Sequence, residues 1–244
     1  MYCIEVKNVT KHFGNNTALN GISFEINCGD SVSLIGPNGA GKTTTLRILS
    51  GILRPDSGTV KICGVDIFKK PREAKTCLGY LPEDAVPFLN LTVRENLEYV
   101  GILRGIDGLD DRIDELVKVL ELEDLMNKPV AALSRGNRQK VALAMAIIHR
   151  PKVLLLDEPL NYLDIPTQER IIKLLRNMNN DGTTILLSTH IMSIAEKLTN
   201  DAIIINKGKI IWRGTMEQLK TETNANQTIE ETIINILNKQ TPTQ

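Results

Sequence analysis

Gly36-Pro37-Asn38-Gly39-Ala40-Gly41-Lys42-Thr43 follows the apolar run Ser31–Ile35 and leads into Thr43–Ser50, where Leu46 and Leu49 have helical spacing. The octapeptide fits G-x-x-x-x-G-K-[ST] in the strand–loop–helix context that the pattern requires. Glycines let such a loop wind tightly and turn its N–H groups toward phosphate oxygens. The helix opening at Lys42 adds the positive end of its dipole. Lys42 is placed to reach β- and γ-phosphates, and the Thr43 hydroxyl to ligate Mg²⁺, with Thr44 beside it. A phosphate site at the end of a buried strand predicts an α/β fold with a parallel sheet.

Working outward, Val153-Leu154-Leu155-Leu156 is a second buried strand, and it ends in Asp157-Glu158. Asp157 is the candidate for the Mg²⁺ shell, and Glu158 for polarising an attacking water. A third strand is predicted at Thr184–Ser188, and Leu186-Leu187-Ser188-Thr189-His190 carries it to a histidine at the same predicted edge, where it can meet a γ-phosphate. Further strands are predicted at Tyr2–Val6, Gly21–Ile26 and Thr59–Cys63, with a hairpin across Lys207-Gly208. From about residue 84 the pattern turns helical. Thr92-x-x-Glu95 is a capping box, Ile113, Leu116, Val117 and Leu120 line one helix face, and a further helix begins at Ser134. Helices are also expected at Thr167–Met178 and Ile191–Leu198, and one whose face holds Ile229, Ile233, Ile236 and Leu237.

Composition excludes several classes. Of 244 residues 42% are hydrophobic and 24% charged, too apolar for a disordered chain. Lys+Arg and Asp+Glu each total 29, so the basic surplus of a non-specific nucleic-acid binder is missing, and no nucleic-acid partner is expected. No run approaches the roughly 18 apolar residues of a membrane span. The N-terminus reads as a strand rather than a signal peptide, so a cytosolic protein is expected. Cys3, Cys28, Cys63 and Cys77 form no CxxC and lie apart from the histidines; they are expected as small, half-buried hydrophobes in a reducing compartment. Lys69-Lys70-Pro71-Arg72 reads as solvated surface.

From Ile4 to about Gly214 the chain resembles the nucleotide-binding subunit of an ATP-binding cassette (ABC) transporter. Beside the motifs already quoted, Leu133-Ser134-Arg135-Gly136-Asn137-Arg138-Gln139-Lys140 resembles the family signature. The resemblance implies a P-loop ATPase core with a mixed sheet and an N-terminal antiparallel β subdomain over 1–83 and 151–214. It also implies an inserted helical subdomain over 84–150 and a short helical tail over 215–244. It implies ATP and Mg²⁺ as ligands. Phe13 is similar to the aromatic that stacks on adenine, and Gly36 to Thr44 hold the phosphates. Ser134 and Gly136 contact the γ-phosphate held by a second cassette, in a homodimer or heterodimer. Tyr80-Leu81-Pro82-Glu83 resembles the segment that normally carries a glutamine; here Glu83 offers a carboxylate to the metal. Thr43, Glu83 and Asp157 are thus the metal candidates, and Glu158, His190 and Lys42 the catalytic ones.

The chain departs from the family pattern at Glu83, Arg135, Asn137, Asn161 and Tyr162. The family implies an integral membrane permease as partner, with attachment to the cytoplasmic face of the membrane. The apolar loop Asp84–Leu91 is then either a groove for a cytoplasmic helix of that partner or a cover for its own helical insertion. The variant motifs resemble those of bacterial exporters of drugs, antibiotics, peptides or sodium. A soluble ABC ATPase, as in iron–sulfur cluster assembly, is the competing function. DNA-repair relatives carry a long coiled coil and ribosome-acting relatives two cassettes, neither of which is seen here. A nucleotide kinase would need an acceptor lid instead of the signature.

Overall fold

The computed structural model describes residues 1–221 and 228–239, so 222–227 and 240–244 of the expected tail lie outside the described residues. In chain order the first half comprises β1 (Tyr2–Phe13), β2 (Asn16–Asn27), β3 (Ser31–Ile35), α1 (Lys42–Leu49), β4 (Ser57–Ile62), β5 (Val65–Asp66), α2 (Pro71–Thr76), β6 (Leu78–Leu81), α3 (Val93–Arg104), α4 (Leu109–Leu120) and α5 (Arg135–Ile147). The second half holds β7 (Val153–Asp157), α6 (Ile165–Asn180), β8 (Thr184–Ser188), α7 (Met192–Leu198), β9 (Asp201–Asn206), β10 (Lys209–Thr215), α8 (Met216–Thr221) and α9 (Ile229–Lys239).

One sheet runs β10-β9-β3-β8-β7-β6, parallel except for the antiparallel edge strand β10. The other, β2-β1-β4-β5, is antiparallel. The α/β class with a mixed sheet is therefore as expected. Strands β7 and β8 are buried over their whole length because both faces are covered. Val153, Leu155 and Leu186 pack toward the antiparallel sheet and α1. Leu154, Leu156, Ile185 and Leu187 face the opposite way, into one continuous core with α3, α4, α5 and α6. The helices of 84–150 share that core with the sheet.

Several local readings recur in the structure. Thr92 and Glu95 form the reciprocal capping box at the start of α3. Thr228 and Glu231 cap α9, whose Ile229, Ile233, Ile236 and Leu237 pack on one small core with Met216 and Leu219. Beside the two-residue strand β5, two elements differ from the sequence expectation. The basic run Lys69–Arg72 starts a helix, because Pro71 sits in its first turn, where a missing N–H costs nothing. β6 has four residues and a glycine, too little pattern to read, yet it pairs in parallel with β7.

The cysteine expectation is corrected. Cys63 and Cys77 are free and half-buried, but Cys3 and Cys28 form a disulfide. The β1–β2 register shifts between Tyr2 and Ile4, which brings their Cα atoms to 4.8 Å, inside disulfide range.

Leu46 on α1 is wholly buried between the two sheets. Leu46→Ala is expected to lower unfolding free energy by about 2–5 kcal/mol in urea titration. A loss under about 1 kcal/mol would contradict this packing.

Candidate functional site

The parallel register sets where the site lies. Leu34 and Asp157 both align with Ser188, and Leu81 aligns with Leu156. The loops leaving β3, β6, β7 and β8 therefore open on one edge of the sheet, the carboxyl edge where α/β folds bind ligands. A cavity of about 630 Å³ there is lined by the 36–44 loop, Glu83, Asp157, Glu158, Ser188 and His190, with Phe13 at one side.

The loop is tightly built. At Gly41 φ is +114°, and a Cβ would stand 2.8 Å from the Ala18 carbonyl. At Gly36 a Cβ would come within 2.2 Å of the Ile205 carbonyl, so no side chain fits. The Lys42 ammonium donates to the Gly36 and Pro37 carbonyls at 2.7 and 3.2 Å. Burial lowers its pKa, and Glu158, Asp157 and Glu83 oppose that shift. Ala40 does not line the cavity: its side chain is buried and its N–H donates to the Pro37 carbonyl.

The carboxylates are individually positioned. Ser188 donates to Asp157 Oδ1 at 2.6 Å, while Asp157 Oδ2 is buried with no partner. An orphaned carboxylate oxygen costs free energy unless a cation or donor meets it. Asp157 Oδ2, with Thr43 and Glu83 on the same cavity, is thus a hard-oxygen set that fits Mg²⁺. Glu158 has φ +48°, an unusual conformation for a non-glycine residue. Thr189 donates to its Oε2 at 3.1 Å and His190 Nδ1–H to its Oε1 at 2.8 Å. The pair holds Glu158 in one orientation. Burial, then Asp157 and Glu158, raise the Glu83 pKa above its ordinary value.

Ser134 and Gly136 are not on this cavity. Ser134 is exposed at the start of α5 and accepts from the Asn137 N–H at 3.3 Å. Arg135 stacks on the Tyr162 ring at 3.5 Å and lies 3.8 Å from Asp84. Ser188 and Thr189, which orient the two carboxylates, went unread in the sequence. The only signal was two hydroxyl residues closing an otherwise apolar strand.

A family model described as ABC transporter matches residues 19–161. The chain belongs to the ABC transporter family. The ABC transporter ATP-binding protein NatA of Bacillus subtilis is 38% identical over 83% of this chain and 83% of its own length. The Nod factor export ATP-binding protein I of Paraburkholderia xenovorans is 38% identical over 88% of this chain and 72% of its own. Among solved structures, an ATP-binding subunit of an ABC transporter superposes with a TM-score of 0.90 at 27% identity, covering 96% of this chain and 99% of that one. A dimeric ATP-binding cassette in a post-hydrolysis state, bound to ADP and Pi, has a TM-score of 0.81 at 29% identity, covering 87% and 98%. This cassette is an ATP-binding ATPase subunit of an ABC transporter.

Glu83 gives a pH test. Its folded pKa is raised, so its ionised form destabilises the metal-free fold above that pKa and costs nothing below the ordinary carboxylate value. Glu83→Gln is expected to raise the melting temperature in metal-free buffer at neutral pH, with the gain vanishing near pH 4. A gain independent of pH would contradict the assignment.

Proposed function

We propose that this cassette hydrolyses Mg²⁺-bound ATP and drives a separately encoded membrane permease, in the direction of export. The observation that carries the catalytic reading is the Glu158 carboxylate, fixed by Thr189 and His190 at the cavity that holds Lys42 and Asp157. Phe13, half-exposed at the cavity, offers a face to adenine. The 36–44 loop and Lys42 hold the phosphates, Lys42 leaving the Gly36 and Pro37 carbonyls to do so. Thr43, Asp157 and Glu83 would hold the metal, which neutralises phosphate charge when bound.

Glu158 accepts a proton from water as that oxygen attacks the γ-phosphorus and the bond to the β–γ bridging oxygen breaks. His190 keeps the Glu158 carboxylate directed and lies where it can also meet the γ-phosphate. Glu158→Gln keeps the shape and removes the base. ATP binding is expected to persist while turnover falls by roughly 10²–10⁴-fold. Near-normal turnover would remove Glu158 from this role.

The signature acts in trans in this reading. Ser134 and the Gly136 N–H lie at the exposed N-terminus of α5, away from the chain's own cavity, and are free to cap a partner's γ-phosphate. The dimeric solved cassette supports this arrangement. In a Glu158→Gln background, Ser134→Arg is expected to abolish ATP-dependent dimers in sedimentation. Dimers that persist would contradict the contact.

The permease reading rests on the segment after Glu83. Asn96 ties down the backbone of Phe88, and the Phe88 ring packs edge-on against Tyr99 at 5.0 Å. Val86 nonetheless stays 70% exposed beside a groove of about 310 Å³ between Ile52, Pro87 and Met145. Ile102 and Leu103 extend the apolar surface at the end of α3. A patch of this kind marks an interaction site, and a helix laid in a groove is one way to cover it. Export follows the relatives named for Nod factor and daunorubicin resistance. Val86→Glu is expected to leave isolated ATPase activity within about twofold. It should also prevent co-purification with a multi-span protein from detergent. Recovery of wild type with soluble scaffold proteins alone would favour the non-transport function.

A further inference from the structure

The sequence holds four cysteines, and all of them line one cavity, far along the strands from the carboxylates. β1 and β4 pair Ile4 with Ile62, and the next residues are joined by the Cys63 N–H donating to the Cys3 carbonyl at 2.8 Å. Cys63, one residue past β4 with φ +49°, and Cys3 both line this cavity. Cys28, at the end of β2, flanks Cys3 on its other side and is bonded to it. Cys77, just before β6, completes the group; it packs with Cys63 against the same core. Three neighbouring strand ends and the residue preceding β6 thus bring a disulfide and two free thiols together.

The cavity, about 1370 Å³, is cationic. Lys118, Lys152 and Lys173 line it and form no ion pair among the described residues. A small anionic reactant is favoured there over a cationic one.

We propose that Cys63 and Cys77 form a redox-active dithiol that takes an anionic, low-molecular-weight disulfide of the glutathione type and closes to a second protein disulfide. The thiolate of Cys77 attacks one sulfur of the small disulfide. A mixed disulfide forms on Cys77, and one small thiol leaves with a proton from solvent. The Cys63 sulfur, losing its proton to solvent, then attacks Cys77 Sγ. The Cys63–Cys77 bond forms and the second small thiol leaves, again protonated. Two protein thiols are oxidised and one small disulfide is reduced, with no other electron acceptor. Burial and the facing Cys77 thiol push the Cys63 thiol up to about 12, which suits it to the second, resolving role. The product bond ties the end of β4, in the antiparallel sheet, to the start of β6 in the parallel one. The Cys3–Cys28 bond stays as it is.

Intact-mass and peptide mass spectrometry of the full chain with glutathione disulfide tests this. Wild type is expected to lose both iodoacetamide-reactive thiols, carry no adduct, and yield one peptide pair joined through Cys63 and Cys77. Cys63→Ser should stop with a single glutathione on Cys77, and Cys77→Ser should react at least about tenfold more slowly. Cationic cystamine should close the pair more slowly than glutathione disulfide at low salt, and the difference should shrink in high salt. The proposal is overturned by a stable adduct on wild type, an adduct on Cys63 instead, or a bond from Cys63 to Cys3 or Cys28. It is also overturned if the dithiothreitol-reduced protein masks all four thiols by binding zinc.

Discussion

Four parallel strands end level with one another, and that alignment forces unlike charges into one small space. The ends of β3, β6 and β7 deliver Lys42, Glu83, Asp157 and Glu158 to the same cavity, and β8 brings Ser188 and His190. One partly desolvated cation stands against three carboxylates there, so the edge carries excess negative charge. Burial first, and then the neighbouring carboxylates, raise the Glu83 pKa, and Asp157 Oδ2 lacks a partner. A bare triphosphate alone would worsen the repulsion; a divalent cation between carboxylates and phosphates relieves both. The loop, strained at Gly41 and closed to side chains at Gly36, is the fixed half of this cradle.

The departures from the family pattern are not scattered. Arg135 of the signature lies over the ring of Tyr162 in the loop after β7, and faces Asp84, the residue after Glu83. All three are surface positions bordering the site rather than lining it. The bulky aromatic Tyr162 in the loop after β7 has a local partner in the bulky cation Arg135. The same contact links the segment after Glu83 to the start of α5, so the cavity, the 133–140 segment and the apolar groove beside Val86 adjoin through a few side chains.

Most of the fold was legible because its strands are short, wholly buried and bounded by motif residues. Ser31–Ile35 and Thr184–Ser188 have the limits their apolar runs predict, since covering both faces leaves no polar alternation to blur them. The 36–44 loop, Asp157, Glu158 and His190 could be placed at one edge of the sheet because each follows or closes such a run. β6 was not: four residues with Gly79 among them carry no period. α2 hid behind a basic run, whose solvated side chains say nothing about backbone state. The Cys3–Cys28 bond depends on a register shift between β1 and β2, which spacing along the chain does not encode. Ser188 and Thr189 acquire meaning only when β7 and β8 pair and put their hydroxyls against Asp157 and Glu158.

In the proposed mechanism Lys42 is a phosphate ligand held in reserve and Asp157 Oδ2 awaits a cation. A crystal structure with Mg²⁺ and a non-hydrolysable ATP analogue tests both at once. The Lys42 ammonium is expected to leave the Gly36 and Pro37 carbonyls for β- and γ-phosphate oxygens, and Thr43 and Asp157 Oδ2 would hold the metal. Nucleotide bound elsewhere, with Lys42 still on its carbonyls and Asp157 Oδ2 still unpartnered, would contradict it.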